Sequence, residues 1–246
     1  MKKLLLALVL VTAPAIGWTA GGNACGEIKC DPVKIDLNDK RSLQNGARIF
    51  VNYCLSCHSA GYMRYNRMGH DLGISDELVE ENLLFAADKI GDLMRAVMPA
   101  EDAKIWFGVA PPDLTLVARA HKPEWIYTYM RSFYRDEKQP TGWNNAVFPN
   151  VAMPHVLYEW QGMQRAVIKK DAQGINRITG FEIAKSGTLS KDEYNRAMRD
   201  LTNFFVYLGE PVKLQRQHLG VYVIFYLILL AGLAYLLKKA YWKDIH

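Results

Sequence analysis

The sequence predicts a mainly α exported domain that carries a small β hairpin insertion and is followed by one C-terminal transmembrane helix. Three observations predict this fold. Capping residues followed by apolar residues at helical spacing recur along the chain. Short β-leaning runs are confined to residues 163–184. Leu219 to Leu237 is nineteen residues without a formal charge, close to the roughly 20 that cross a bilayer as a helix. An apolar share of 50% excludes a disordered tail protein, and 18 Gly with 10 Pro excludes collagen-like or low-complexity sequence.

Taken in order, Met1-Lys2-Lys3 precedes an apolar run from Leu4 to Val11 and then small residues. This pattern reads as a secretory signal peptide over 1–20, cut after Ala15 or Ala20. Residues 21–218 then form the exported domain. Ser42 can cap a helix running through Leu43, Ala47, Phe50 and Val51 toward Cys54. Ser75 caps a second, in which Leu78, Val79, Leu83, Ala86 and Ile90 share a face. Residues 99–123 are Pro-rich and read as irregular, and Glu124 to Phe133 reads as helix. Gly174 and Gly180 among Val167-Ile168 and Ile178 to Ile183 give the hairpin. Ser190 with Glu193 is a capping box; the helix it opens carries Leu201, Phe204, Phe205 and Leu208 and stops at Gly209 and Pro211. The membrane span is 219–237. Tyr241 and Trp242 follow as an aromatic anchor, and Lys238, Lys239 and Lys243 mark 238–246 as a cytoplasmic tail.

The formal net charge of +5 belongs to the chain ends. Residues 21–218 hold 25 basic and 24 acidic residues, a net of +1, which argues against nucleic-acid binding. Asp71 to Asp102 holds nine acids against Lys89 and Arg95, a local net of −7: a solvated helix face, or a surface that steers a basic partner. Cys25 and Cys30 are spare cysteines in an exported segment and are expected to form a disulfide.

The chemistry lies in Cys54-Leu55-Ser56-Cys57-His58, the attachment pattern of a c-type haem. Two thiols three residues apart on one turn can each form a thioether to a vinyl group, and the adjacent His offers an axial imidazole. A CxxC pair alone would leave zinc binding and thiol–disulfide exchange open, but no second paired CxxC supplies zinc ligands. The motif also lies inside an apolar helical segment rather than at a strand-to-helix turn. The second axial position stays open on these grounds. It could be empty, as in a haem sensor or peroxidase, or filled by one of eight methionines between Met63 and Met198 or by His70, His121 or His155.

Around the motif, Tyr53 to Ser59 and Tyr62-Met63-Arg64-Tyr65-Asn66-Arg67-Met68 resemble the cytochrome c1 family. So do Trp106-Phe107-Gly108, Pro111-Pro112-Asp113-Leu114, Val151-Ala152-Met153-Pro154 and an anchor after Gly209-Glu210-Pro211. The resemblance spans roughly residues 36–243 and implies a c-type cytochrome domain with one haem c, covalent through Cys54 and Cys57. It implies His58 as proximal and Met153 as distal iron ligand, with Pro111, Pro112 and Arg119 lining the haem. Arg119 is either a propionate partner or a solvated surface residue, and a second basic residue expected just beyond is replaced here by His121. Tyr62 and Tyr65 border the haem or are core aromatics. By the same resemblance the chain is a redox subunit of ubiquinol–cytochrome c reductase, the cytochrome bc1 complex, in a bacterial-type inner membrane with the haem domain on the periplasmic side. It would pass one electron from a Rieske iron–sulfur centre to a soluble cytochrome c docking near 71–102, beside a cytochrome b subunit. No quinol oxidation is expected from the chain alone. Another membrane-tethered monohaem cytochrome is the nearest alternative.

Overall fold

A computed structural model describes residues 25, 26 and 28–243; the signal peptide expected over 1–20 and the last three residues lie outside the described residues. Helix α1 (Lys40–Ile49) is the first helix of the described residues. Its cap is Asp39, not Ser42: the Asp39 carboxylate accepts from the Ser42 N–H at 3.1 Å. Ser42 is drawn inside the helix because its hydroxyl is needed elsewhere, donating to buried Asp200 at 2.7 Å. The helix ends in a π-helical turn, Phe50–Cys54, closed by the Leu55 N–H on the Phe50 carbonyl. Such turns are frequent at functional sites because they displace side chains from the regular helical register.

Strand β1 (Ala60–Arg64) follows, then α2 (Tyr65–Leu72) and α3 (Asp76–Asn82). Ser75 caps α3 as expected, accepting from Leu78 N–H, but the helix stops at Asn82 rather than reaching Ile90. The reason is a competing demand on the backbone. The Ile90 and Asp92 carbonyls accept from Asn66 and Tyr65 N–H at the start of α2, so the chain must unwind to reach them. Leu83 and the partly buried Ala86 and Ile90 still pack on the core from this irregular segment. Strand β2 (Leu93–Met94) pairs antiparallel with β1.

Residues 99–123 are not irregular throughout. Helix α4 (Ala100–Phe107) starts after Pro99, carries Glu101 and Asp102 in its first turn and ends at Gly108 in the left-handed region, φ 77°. These are ordinary start and stop signals that the prolines at 111 and 112 outweigh in a composition-based reading. A single turn, α5 (Val117–Ala120), leads to α6 (Pro123–Arg131), which ends two residues before the expected Phe133. Phe133 instead opens β3 (Phe133–Arg135), paired with β4 (Trp143–Asn145). After α7 (Tyr158–Gln161), β5 (Gly162–Lys170) and β6 (Asn176–Ser186) form the expected hairpin, slightly longer than its β-leaning run. The capping box at Ser190 and Glu193 opens α8 (Lys191–Gly209), as the sequence requires.

Helices α1 and α8 make the central packing contact. Phe50 lies 5.8 Å from both Phe204 and Phe205, ring centre to ring centre. Gly46 permits this approach: a Cβ there would sit 2.6 Å from the Phe204 Cβ and overlap the Asp200 carbonyl. Gly46→Val should therefore force the helices apart and cost about 1–3 kcal/mol or more, seen as a lower thermal midpoint and a lower yield of haem-loaded protein. An unchanged midpoint would contradict this packing.

The segment before α1 straps across α6 and α8. Cys25 and Cys30 form the expected disulfide, Asp31 N–H donates to Thr128 at 2.8 Å, and Asp36 N–H donates to Asn203. Helix α9 (Lys213–Tyr241) has 29 residues, none buried, and contains the uncharged run 219–237. At 1.5 Å rise per residue it is roughly 43 Å long, and it is long and apolar enough to cross a membrane.

Candidate haem-binding site

The CxxCH motif sits on the turn that leaves the π-helical segment, with Cys57 and His58 N–H both donating to the Cys54 carbonyl. Cys54 is buried, Cys57 is half-buried, and the two thiols are not bonded to each other. Burial, then the neighbouring Cys57, pushes the Cys54 thiol up to about 12. Thiol–disulfide exchange proceeds through the thiolate, which burial disfavours at Cys54. Among the described residues, no group of three or more Cys, His, Asp or Glu is placed to hold a metal ion. Two unpaired thiols on one turn instead suit addition across two vinyl groups.

His58 is 8% exposed, and its Nδ1 lies 2.8 Å from the Pro112 carbonyl. A carbonyl can only accept, so Nδ1 carries the proton and Nε2 presents a lone pair. Burial pulls the imidazole below its ordinary pKa and holds it neutral, the form that ligates iron. Pro111 and Pro112 are thus brought to the motif through the backbone. Their segment is laced down by Leu114 N–H on the Ser59 carbonyl and by Gly61 N–H on Asp113, each at 2.8 Å. Asp113 also accepts from the Thr115 N–H and hydroxyl. A Cβ at Gly61 would come within 2.7 Å of the Asp113 carboxylate, which would have to shift from its present hydrogen bonds.

Met153 is half-buried in the loop after β4, against a small cluster of Phe133, Trp143 and Val151. The Tyr129 hydroxyl donates to its sulfur at 3.4 Å. Tyr129 packs against both this cluster and the main core. Its position follows from a ladder of rings. His121 stacks on Trp125 at 4.0 Å, Trp125 on Tyr129 at 5.1 Å, and Tyr129 meets Phe133 edge-on.

The other expected residues divide. Tyr65 is fully buried and is a core aromatic, whereas Tyr62 is 77% exposed on β1. Arg119 is exposed on α5, its aliphatic stem against Gly209 at the end of α8. The contacts of Asp113, Tyr129 and the Pro112 carbonyl were not foreseen. A signal for Asp113 was present, since Asp two residues before Thr is an Asx-turn pattern.

The sequence model of the cytochrome C1 family matches residues 34–164 and 184–245. The chain belongs to the cytochrome c1 family. The residues between the two matched stretches, 165–183, make up most of the β5–β6 hairpin. The chain is 50% identical over 248 residues to a protein named cytochrome c1 from Allochromatium vinosum, covering 100% of both. It is 46% identical over 246 residues to the ammonia monooxygenase gamma subunit of Nitrosomonas europaea, covering 100% of this chain and 99% of that one. A protein named cytochrome b/c1 from Bradyrhizobium diazoefficiens is 27% identical over 85% of this chain and 34% of its own length. Cytochrome c1 proteins carry one covalently bound haem c and are electron carriers of the bc1 complex. The donor set here fits that group: two free thiols, a neutral imidazole with Nε2 available, and a thioether.

Proposed function

We propose that this chain relays single electrons from a Rieske iron–sulfur centre to a soluble cytochrome c, and that Cys54 and Cys57 would hold a haem c covalently while His58 and Met153 would ligate its iron. The observation that carries the proposal is the His58–Pro112 contact on a turn with two unpaired thiols. When bound, the haem supplies a one-electron ferric/ferrous couple. The chain's own work is to bind, orient and screen. The Pro112 carbonyl fixes the His58 tautomer, the buried Cys54 anchors one edge, and the loop bearing Met153 offers a thioether, which favours the reduced iron. No nucleophile–base pair or phosphate loop is required for this role.

Residues 1–20 as a signal peptide and Lys238, Lys239 and Lys243 as an inner flank would place the domain outside the cytoplasm, tethered by α9. The name of the Bradyrhizobium relative, cytochrome b/c1, supports a cytochrome b partner. Copurification of the tagged chain with cytochrome b and a Rieske protein tests this assembly. Recovery of monooxygenase subunits instead would favour the reading suggested by the Nitrosomonas relative.

Docking of the soluble acceptor near 71–102 has structural support. Ala96 N–H donates to the Ser59 hydroxyl and Met98 N–H to the Ser56 carbonyl, so the end of the acidic stretch lies against the CxxCH turn. Asp76, Glu77, Glu80, Glu81, Asp88 and Glu101 are exposed; Asp71 is engaged with Arg67 and Tyr207. With a basic cytochrome c, the second-order rate should fall by about tenfold or more as salt is raised. A Glu80→Lys, Glu81→Lys variant should start slow and lose much of that salt dependence. A rate indifferent to ionic strength would remove this surface from the account.

A further inference from the structure

We propose that Tyr129 is a positioning residue for Met153: its hydroxyl donates to the thioether sulfur, holds one lone pair of that sulfur, and raises the reduction potential of the site. The inference rests on the ligation of Met153 proposed above and concerns a residue to which that reading assigns no part. The geometry is a 3.4 Å contact from the hydroxyl to the sulfur, across 24 residues of sequence.

Both ends of this contact are fixed. The Tyr129 ring is held between Trp125 and Phe133 in the ladder on α6. Its backbone is tied to the chain that leads to Met153, because the fully buried Asn145 donates to the Tyr129 carbonyl at 2.8 Å. The same Asn145 side chain accepts from Val147 and Phe148 N–H at 2.9 and 3.2 Å, setting the exit of β4 toward the Met153 loop. The loop is thus attached to α6 at two points, one through main chain and one through sulfur.

A thioether sulfur has two lone pairs. An O–H donor on one of them leaves the other directed, and restricts the rotation of a side chain that otherwise has three soft torsions. It also draws electron density from the sulfur; the weaker donor that results would stabilise ferric iron less, and ferrous iron would lose little. Outer partners of metal ligands act in these two ways, by orienting the ligand and by tuning it.

The test is Tyr129→Phe in the assembled membrane complex, which keeps the ring and removes only the donor. The ferric red-edge charge-transfer band of a methionine-ligated haem and resistance to carbon monoxide report Met153 ligation; redox titration reports tuning. The expected result is a ligation signature retained in wild type and variant, with the one-electron equilibrium shifted toward the oxidised form by about three- to tenfold, tenfold being 59 mV. Equal potentials with ligation intact would overturn the role of Tyr129 and leave Met153 as ligand. A wild-type complex that lacks the band and binds carbon monoxide would instead overturn the ligation reading, and this inference with it. If the variant does not assemble, wild-type protein decides: resonance Raman in light and heavy water should show an isotope shift of the iron–sulfur stretch, and no shift would overturn the hydrogen bond.

Discussion

Met153→Leu should open the haem iron to carbon monoxide and lower its potential by a few tenths of a volt, within the about 0.8 V that axial ligation spans. Leucine is close to methionine in volume and fits the cluster of Phe133, Trp143 and Val151 that surrounds the side chain, so packing changes little. What is lost is the sulfur, and with it the stabilisation of the reduced iron. The hydroxyl of Tyr129 would be left facing an alkyl group. Reduced wild-type protein should show no carbon monoxide spectrum; the variant should show one at once and should no longer be reduced by the complex's quinol substrate. A wild-type protein that binds carbon monoxide readily would identify an open-site sensor or peroxidase instead.

The double variant Cys54→Ala, Cys57→Ala should abolish covalent haem. After denaturing electrophoresis, haem staining at the 28.0 kDa chain, or at its slightly smaller processed form, should fall from full to none. Each single variant should keep one thioether, with a pyridine haemochrome band shifted to the red because one vinyl group stays conjugated. Cys54 is the costlier of the two for folding, since it is 5% exposed in the main core. Alanine there removes one buried sulfur, which is a small cavity and not a rearrangement. Haem that survives denaturation in the double variant would refute attachment at this turn.

How much of this was legible in the sequence depended on whether the deciding contact was local. The capping box at Ser190 and Glu193 is contained in four residues and reads correctly. The cap of α1 does not, because the competition for Ser42 comes from Asp200, 158 residues away. The same holds for α3, which stops at Asn82 because carbonyls beyond it are wanted by α2. The site divides likewise. Cys54, Cys57 and His58 announce themselves by spacing alone. Pro112 acts through a main-chain oxygen 54 residues from His58, and a carbonyl has no signature in a sequence. Tyr129 was one of 13 tyrosines until the fold brought its hydroxyl to Met153.

The central claim is that this chain is a one-electron relay between quinol oxidation and a soluble acceptor. Rapid mixing of the complex purified through the tagged chain with ubiquinol, followed at the c-type haem band, tests it most directly. The account predicts reduction of that band within a turnover and its reoxidation on adding cytochrome c, with neither step in the isolated chain plus ubiquinol. A band that stays oxidised while quinol is consumed, or a complex that contains no cytochrome b and no Rieske protein, would contradict it.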